Sequence, residues 1–303
     1  MTPVAEAFTA WSKSGLGDLT DGCAHRVYLK KVVGLPDPGS PATVLGTAYH
    51  AALEYHERVR ILNVRDGAGL DLPTPDGLYQ HVERDLTFAA LELPDEMWGR
   101  HETSIPELHE SLLAALTNWW SAPIPDGQRH AGRSLRDHLM TMRPVAVEPY
   151  FRVPYGPSPR PLHGYIDWLG WDPDQEQWVV VDHKSANSFG RWPHGGEGHE
   201  LEGATYTVGA TVAANLPVKG DVIQEWHIAR TREGKNARFE PVRLVSSRPG
   251  AGEASFLRDT MLVADRMVEQ GEFPKNPSWT LCSAKWCPFH IETGGPCDPE
   301  VAE

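Results

Sequence analysis

Residues 164–184 read GYIDWLGWDPDQEQWVVVDHK, two apolar runs on either side of a polar turn. Residues 172–174, Asp-Pro-Asp, are typical of turns, and the runs that flank them have the length and composition of strands. The stretch therefore predicts a hairpin. Pairing of the two strands would bring Asp167 close to Asp182, and Lys184 would share a face with Asp182 because side chains alternate along a strand.

Two carboxylates at one place favour a bound cation. They repel each other unless a cation lies between them, and hard oxygen ligands of this kind suit Mg²⁺ or Mn²⁺. Such a metal would acidify a bound water, and Lys184 would orient that water or neutralise a phosphate oxygen, as phosphodiester hydrolysis requires. The alternative is a surface ion pair, because Asp followed two residues later by Lys is common. The apolar run 178–181 directly before Asp182 favours a ligand site.

A histidine on a predicted helix could complete this metal site. Residues 45–61 place their apolar side chains on one stripe, as an amphipathic helix does. His50 lies on this helix and offers an imidazole to the metal, and the alternative is a helix histidine bonded to a neighbour. We expect His50, Asp167 and Asp182 to act together.

The rest of the sequence predicts a single domain over residues 1–303. Helical patterns cover residues 66–143, 201–215 and 254–269, and strand patterns cover residues 145–153, 162–171, 177–184, 222–231 and 237–244. This order indicates an α/β fold with a central mixed sheet flanked by helices. Residues 66–143 show a helical pattern broken by Pro-rich turns, unlike the segments on either side. They are predicted to form a helical insertion within the domain.

The chain has four cysteines: Cys23, Cys282, Cys287 and Cys297. No signal peptide is visible, so we expect a cytosolic protein, in which a disulfide framework is not expected. Zinc sites usually show two close pairs, whereas this chain has one four-residue gap, one nine-residue gap and a single distant cysteine. Four soft thiolates with irregular spacing favour a 4Fe-4S cluster, with zinc or unrelated buried thiols as alternatives. A shared cluster would join residues 1–33 to residues 272–303.

The charge of the chain limits how it can bind nucleic acid. A formal net charge of −13 argues against a general coating of nucleic acid, although two local basic stretches could line a groove. Solvated charged faces are the alternative for both stretches. They contain His25, Arg26, Lys30 and Lys31, and Arg230, Arg232, Lys235, Arg238 and Arg243. No membrane-length apolar run or signal peptide is visible, so we expect a cytoplasmic protein without membrane contact.

Assembled in order, these motifs resemble the RecB-like branch of the PD-(D/E)xK nuclease superfamily. The resemblance is to its iron-sulfur exonucleases, which include the CRISPR adaptation nucleases and the AddB nuclease domain, and phage-encoded single-domain members look most similar. Residues 66–143 have no counterpart. The matching motifs are the opening segment with Cys23, Gly46 to His50, Gly164 to Asp167, Asp182 to Lys184, and the three late cysteines.

The resemblance implies a role for each matched residue. It implies a restriction-endonuclease-like core in which Lys184 is catalytic. It implies a 4Fe-4S cluster on the four cysteines. The Mg²⁺ or Mn²⁺ ion would be held by His50, Asp167 and Asp182, with the backbone carbonyl of His183 as a further ligand.

The helix after the catalytic strands departs from the family pattern. The family usually carries Gln there, with Tyr four residues later, whereas this chain has Glu202 before Tyr206. Tyr206 carries over as a phosphate or water contact. Glu202 would add negative charge near DNA unless it faces elsewhere. Glu148 matches an acidic position often seen in the family. We expect it to orient the metal ligands without binding the metal itself.

The implied function is a metal-dependent exonuclease that acts on single-stranded or end-containing duplex DNA in recombination, repair or processing. A helicase or a recombination protein is the candidate partner. The alternative is a catalytically silent iron-sulfur subunit of the same fold that binds DNA or supports assembly, which the acidic total and Glu202 favour. Binding alone, however, does not require a lysine and two acids at one metal-ready place.

Overall fold

A long run of helices precedes the sheet. The computed structural model of the protein describes residues 3–101, 103–190, 198–212, 222–232, 240–279 and 281–297. The first helices are α1 (Pro3–Glu6), α2 (Lys13–Thr20), α3 (Ala24–Lys31), α4 (Pro41–Asp66), α5 (Pro75–Leu91), α6 (Asp95–His101), α7 (Ile105–Ser121) and α8 (Leu135–Thr141). The predicted helix 45–61 is the middle of α4. This helix is longer because Ser40 caps its first turn and Gly67, with φ at 62°, ends it.

Among the described residues, strands and two further α-helices follow, and a short 3-10 helix covers Ile291–Thr293. The strands and α-helices are β1 (Arg143–Val147), β2 (Tyr150–Val153), β3 (Leu162–Tyr165), β4 (Trp168–Asp172), β5 (Gln177–Ala186), α9 (Glu200–Val212), β6 (Val222–Arg230), β7 (Val242–Ser247) and α10 (Ala251–Gln270). The predicted hairpin is confirmed, because β4 and β5 pair antiparallel around residues 172–177. Of the predicted helix 201–215 and strand 237–244, residues 213–215 and 237–239 lie outside the described residues.

The main sheet has five strands in the order β1-β4-β5-β6-β7. Strands β5 and β6 run parallel, and the other neighbours run antiparallel. The parallel pair is joined through α9, as a parallel connection requires. The prediction of an α/β fold with a central mixed sheet is therefore confirmed, and the arrangement is consistent with a restriction-endonuclease-like core.

Two predicted strands are each broken in the structure. The expected strand 145–153 divides into β1 and β2 at Glu148, whose φ is 51°, and the run 162–171 divides into β3 and β4 next to Asp167. Strands β2 and β3 form a separate two-stranded sheet, so this hairpin leaves the main sheet at both breaks. The Glu148 amide donates to the Asp167 carbonyl at 3.2 Å, which holds the two breaks together. Asp167 therefore lies at a bend where the sheet divides.

Strand β5 is buried on both faces of the sheet. Val179 and Val181 pack with α4, α5, α7 and α8 on one face, and Trp178 and Val180 pack with α2, α3, α9 and α10 on the other. The helices within residues 66–143 therefore form part of the first layer, and their description as an insertion stays a prediction. Among the described residues, every helix is too short or too polar to span a bilayer.

Candidate active site

Asp182 and Lys184 lie near the end of β5, after the run of buried residues that makes up most of this strand. Asp182 has 1% of its surface exposed, and its Oδ1 accepts a hydrogen bond from Lys184 Nζ at 2.7 Å. Both side chains are on one face of β5 because they are two residues apart. The strand thus pairs a buried carboxylate with an ammonium group whose side chain is 23% exposed.

Asp167 is held by two donors from different elements. Its Oδ2 accepts a hydrogen bond from the His183 backbone amide at 2.9 Å and lies 3.1 Å from Nδ1 of His50 on α4. The pairing of Trp168 with Val181 brings the bend that carries Asp167 alongside the end of β5. The sheet register therefore fixes Asp167 relative to Asp182.

A buried network fixes the helix that carries His50. The Glu57 carboxylate, 1% exposed, accepts hydrogen bonds from Arg60 Nη1 at 3.0 Å and from the Trp168 indole at 2.8 Å. Arg60 also donates to the Met142 carbonyl. Since Trp168 follows Asp167 directly, this network ties α4 to the strand that positions the acid.

His50, Asp167 and Asp182 each direct one potential ligand atom to a common point, with these atoms within 4.8 Å of one another. Burial alone would raise the pKa of Asp167, but His50 and Lys184 hold it well below its usual range. Burial also raises the pKa of Asp182, and the charges of Glu202 and Asp167 add to this effect. Carboxylates in this situation gain from a divalent cation, so the donor set fits Mg²⁺ or Mn²⁺.

Glu148 lies beside this cluster in a left-handed backbone conformation, with φ at 51°. Its side chain lines the same cavity as His50, Glu54 and Asp167. Burial, together with the charges of Asp167 and Glu54, raises the pKa of Glu148 to about 7. This residue is therefore near the ligand set, as the sequence predicts.

Glu202 faces the site, and its charge is compensated. It is 3% exposed and pairs with Lys13 of α2, and its Oε1 lies 3.4 Å from Lys184 Nζ. The Trp226 indole donates to its Oε2 at 3.1 Å. Burial alone would raise the pKa of Glu202, but Lys184, His199 and Lys13 hold it well below its usual range.

Tyr206 is one helical turn from Glu202 on α9. Burial, together with the charges of Asp182 and Glu202, raises the pKa of the Tyr206 hydroxyl well above its usual value. The hydroxyl therefore stays protonated and can donate a hydrogen bond within this acidic site.

The superfamily of the chain is shown by its sequence. A family model described as "PD-(D/E)XK nuclease superfamily" matches residues 10–291. The chain belongs to the PD-(D/E)XK nuclease superfamily. Nucleases of this superfamily use divalent metals such as Mg²⁺ or Mn²⁺, which agrees with the donor set at the end of β5.

Two solved structures show a distant resemblance to this PD-(D/E)XK chain. A crystal structure described as a "Putative exonuclease" from Eubacterium rectale has 11% sequence identity and a TM-score of 0.37, and the match covers 93% of this chain and 89% of that one. The crystal structure of SSO0001 has 12% identity and a TM-score of 0.29, covering 92% and 96%. No curated protein sequence matches the chain. The assignment to the PD-(D/E)XK superfamily therefore rests on the family match.

His183 contributes to the PD-(D/E)XK site through its backbone. Its amide holds Asp167, while its ring is 3% exposed and lies with its centroid 6.2 Å from that of Trp119 and 5.6 Å from that of His227. The ring is therefore packed between α7 and the sheet. The role of the His183 carbonyl as a metal ligand stays a prediction.

The four cysteines of the PD-(D/E)XK chain converge. Cys23, Cys282, Cys287 and Cys297 line one cavity, and none forms a disulfide. Burial and the neighbouring thiols raise the pKa of Cys297 to about 11, and the pKa of Cys282 rises for the same reasons. The two ends of the chain also bond directly, because the Asn276 side chain donates to the Gly22 carbonyl at 2.8 Å.

The predicted basic stretches differ in how they are used. In the first stretch, Arg26 and Lys30 both bind Asp37 at 3.0 Å, so part of its charge is neutralised. In the second, the guanidinium groups of Arg230 and Arg243 lie 4.5 and 4.8 Å from the Phe189 ring centre. Two further members of the second stretch, Lys235 and Arg238, lie outside the described residues.

Sequence reasoning missed Lys13 and Trp226 as members of the site. Lys13 begins a short helix far from the catalytic strands in sequence, and no local pattern marks it. Trp226 reads as an apolar strand residue, although its indole binds Glu202. A signal for Lys13 exists only after Glu202 is recognised as buried, because a buried carboxylate requires a partner.

Proposed function

We propose that the protein is a Mg²⁺- or Mn²⁺-dependent deoxyribonuclease that hydrolyses phosphodiester bonds from DNA ends, in recombination, repair or processing of DNA. The observation that carries this proposal is the convergence of His50, Asp167 and Asp182 within 4.8 Å, with the Lys184 ammonium on the Asp182 carboxylate. A lysine and two acids at one metal-ready place are the parts that this reaction needs.

Each residue has a role that follows from its position. His50, Asp167, Asp182 and the carbonyl of His183 would hold the metal, which when bound supplies an acidified water and electrostatic stabilisation of the phosphate. Asp182 orients Lys184, and the Lys184 ammonium then positions the attacking water or neutralises a phosphate oxygen. The Tyr206 hydroxyl contacts a phosphate or a water, and Glu148 supports the metal ligands.

We further propose that Cys23, Cys282, Cys287 and Cys297 hold a 4Fe-4S cluster, which makes the protein a RecB-like iron-sulfur exonuclease of the phage-encoded, single-domain kind. Convergence of four thiols on one cavity supports a bound group. Soft thiolate ligands fit either an iron-sulfur cluster or zinc. Quantification of iron, acid-labile sulfide and zinc after anaerobic purification distinguishes the two, and a chain filled with zinc alone would overturn the cluster.

The DNA substrate is proposed to be single-stranded or end-containing duplex, in the cytoplasm and with a helicase or recombination protein as the candidate partner. Phosphate binding would fall to the Arg-rich end of β6 and to Lys184, since the chain as a whole is acidic. DNA binding should therefore weaken steeply as salt is raised.

A nuclease assay tests the proposal. The cluster-loaded protein is incubated with Mn²⁺ and end-labelled single- or double-stranded DNA, with covalently closed circular DNA as the substrate without ends. We expect the linear DNA to be degraded and the closed circle to persist. In Lys184→Ala the rate should fall at least about 100-fold, because the charge at the reacting phosphate is lost. If the wild type and Lys184→Ala both bind DNA and leave every substrate intact, the chain is a catalytically silent binding subunit.

A further inference from the structure

A second cluster of side chains that could hold a metal ion includes a residue of β6, the strand next to β5. One ligand atom each from His130, His138 and Glu225 lies within 4.8 Å of the other two, as in the catalytic set. His138 is on α8 and Glu225 is on β6, whereas His130 is on the loop between α7 and α8. This cluster contains histidines and one carboxylate, so its chemistry differs from that of the catalytic cluster.

The second cluster contains a buried carboxylate that pairs with histidines. Glu225 is 1% exposed, and its Oε2 accepts hydrogen bonds from His138 Nε2 at 2.9 Å and from His227 Nε2 at 3.0 Å. Burial alone would raise the pKa of Glu225, but these two hydrogen bonds hold it well below its usual range. Among the described residues, its ion pairs are with these histidines and with no lysine or arginine. A buried carboxylate gains from a cation at this place.

His130 adds a second imidazole to the cluster. Its backbone is left-handed, with φ at 62°, and its ring stacks on that of His138 with centroids 4.0 Å apart. The buried Nε2 of His130 has no hydrogen-bond partner among the described residues. The loop itself is anchored, because the Leu244 amide donates to the Gln128 side chain at 3.0 Å. The arrangement therefore leaves an imidazole nitrogen available beside an ionised carboxylate.

We infer that His130, His138 and Glu225 form a second metal site that takes Zn²⁺ or a similar transition-metal ion. Two imidazoles and one carboxylate are a ligand set typical of Zn²⁺ and not of Mg²⁺, which prefers oxygen ligands and water. Two rings that bind one metal do not stack face to face, so binding turns the His130 ring away from His138. His130 is the ligand able to do so, since it is half-buried on a loop.

A bound metal would link α8 and the loop before it to β6, the strand that pairs with β5. His227, which shares the Glu225 oxygen, places its ring 5.6 Å from that of His183, and the His183 amide holds Asp167. A metal bound here would therefore stabilise the residues that hold Asp167. None of the three metal ligands would itself contact the DNA. The expected effect of the metal is on the stability of the fold.

Metal content of the cluster-loaded full chain tests this inference. The protein is equilibrated with Zn²⁺ or with Co²⁺ as a spectroscopic probe, dialysed, and analysed for metal per chain. We expect one tightly held ion and a higher unfolding temperature on Zn²⁺ addition, because a ligand of the native state stabilises it. The affinity should fall at least about 100-fold in His130→Ala, since removal even of groups outside the ligand set costs 10–100-fold.

Matched variants separate the second site from the others. His109→Ala is the control, because this histidine bonds to Tyr79 and Thr87 within the same helical stretch and has no place in the cluster. Asp167→Asn removes a ligand of the catalytic site, and Cys297→Ser removes one thiol. Zinc that persists in these three variants and is lost in His130→Ala supports the inference.

Two results would overturn the second metal site. The first is a wild-type chain that holds no Zn²⁺ or Co²⁺ beyond what Asp167→Asn and Cys297→Ser remove. The second is unchanged metal content in His130→Ala, whose circular dichroism reports whether it has folded. Glu225→Gln is the second variant, because it removes the charge and keeps the shape. Since metal content is the measurement, the result does not depend on nuclease activity.

Discussion

At the residue scale, the environment of Lys184 depends on a balance between two acids and a second lysine. Lys184 bonds to Asp182 at 2.7 Å and lies 3.4 Å from Glu202, while Glu202 also pairs with Lys13. If Lys13 were absent, the full charge of Glu202 would act on Lys184. The pair Lys13–Glu202 therefore behaves as a neutral unit next to the catalytic ammonium.

This balance predicts the outcome of a double-mutant cycle. Lys13→Met should lower kcat about 10-fold, or roughly 1.4 kcal/mol, because Glu202 then draws Lys184 away from the phosphate. Glu202→Gln alone should be nearly silent, since the amide still accepts from Trp226 and Lys13 is 32% exposed. Single-turnover cleavage of a labelled duplex measures each rate. The double variant should recover most of the loss, and a double variant as slow as Lys13→Met would mean that the pair only supports the fold.

Glu148 predicts a pH dependence of stability in the metal-free protein. Its pKa is raised to about 7 from an ordinary value of 4.5, so the folded state holds a proton that the unfolded state has lost between these pH values. Stability therefore falls as pH rises from 4.5 to 7, and the cost is complete above pH 7. Glu148→Gln should be more stable than the wild type at pH 8 by about 1–2 kcal/mol, since solvent screens this half-buried group.

Urea denaturation of the metal-free chains at two pH values measures this effect. The difference between wild type and Glu148→Gln should disappear near pH 4.5, where both side chains are neutral. Glu54→Gln is the control, because Glu54 is a smaller contributor to the same shift. An equal difference at both pH values would contradict the titration of Glu148 as its cause.

At the scale of elements, the β2–β3 hairpin and α9 pack against each other through the ring of Phe151. A Cβ added to Gly164 would lie 3.1 Å from the Phe151 ring, and one added to Gly209 of α9 would lie 2.5 Å from it. Phe151 is 2% exposed and has little room to move. Packing against Phe151 therefore explains the glycine that begins the motif Gly164 to Asp167, and the same ring sets how closely α9 approaches the site.

Gly209→Ala should lower the free energy of unfolding by about 1–3 kcal/mol, because the added methyl forces the Phe151 ring or α9 to shift. The shift would also carry Glu202 and Tyr206, so cleavage should slow in proportion. Gly99→Ala is the matched control, since a Cβ at this helical glycine meets nothing within 4 Å. It should stabilise the chain by about 0.4–1 kcal/mol. Urea denaturation compares the two, and equal stabilisation by both substitutions would contradict the packing account.

Local patterns in the sequence predicted several elements but not how they are interrupted. The β4–β5 hairpin, α4 and α10 follow from turn residues and apolar periodicity, which are local. The breaks at Glu148 and Asp167 depend on the pairing of β2 with β3, which no single stretch specifies. Lys13 was missed for a similar reason, because its partner Glu202 is distant in sequence. The strand breaks and the Lys13–Glu202 pair thus depend on contacts between distant parts of the chain, which the periodicity of a single stretch does not predict.

At the scale of the whole molecule, the candidate active site lies where the two faces of the sheet meet at the end of β5. His50 comes from the helical layer on one face, whereas Glu202 and Lys13 come from α9 and α2 on the other. Only a few residues separate the end of α2 from Cys23 at the start of α3. The proposed cluster is therefore close in the chain to the lysine that balances the catalytic charge.

Removal of the proposed cluster should weaken both the fold and the site. Closing the loop between Cys23 and Cys282 reduces the entropy of the unfolded chain by on the order of 5 kcal/mol, so Cys282→Ser with Cys287→Ser should lower the free energy of unfolding by up to about that amount. The hydrogen bond from Asn276 to Gly22 remains and offsets part of the loss.

Denaturation under anaerobic conditions measures the change, and limited proteolysis reports whether residues before α3 loosen. Lys285→Ala, an exposed residue between the two cysteines, is the control. A double cysteine variant as stable as this control would show that the four thiols do not join the ends of the chain through a bound group.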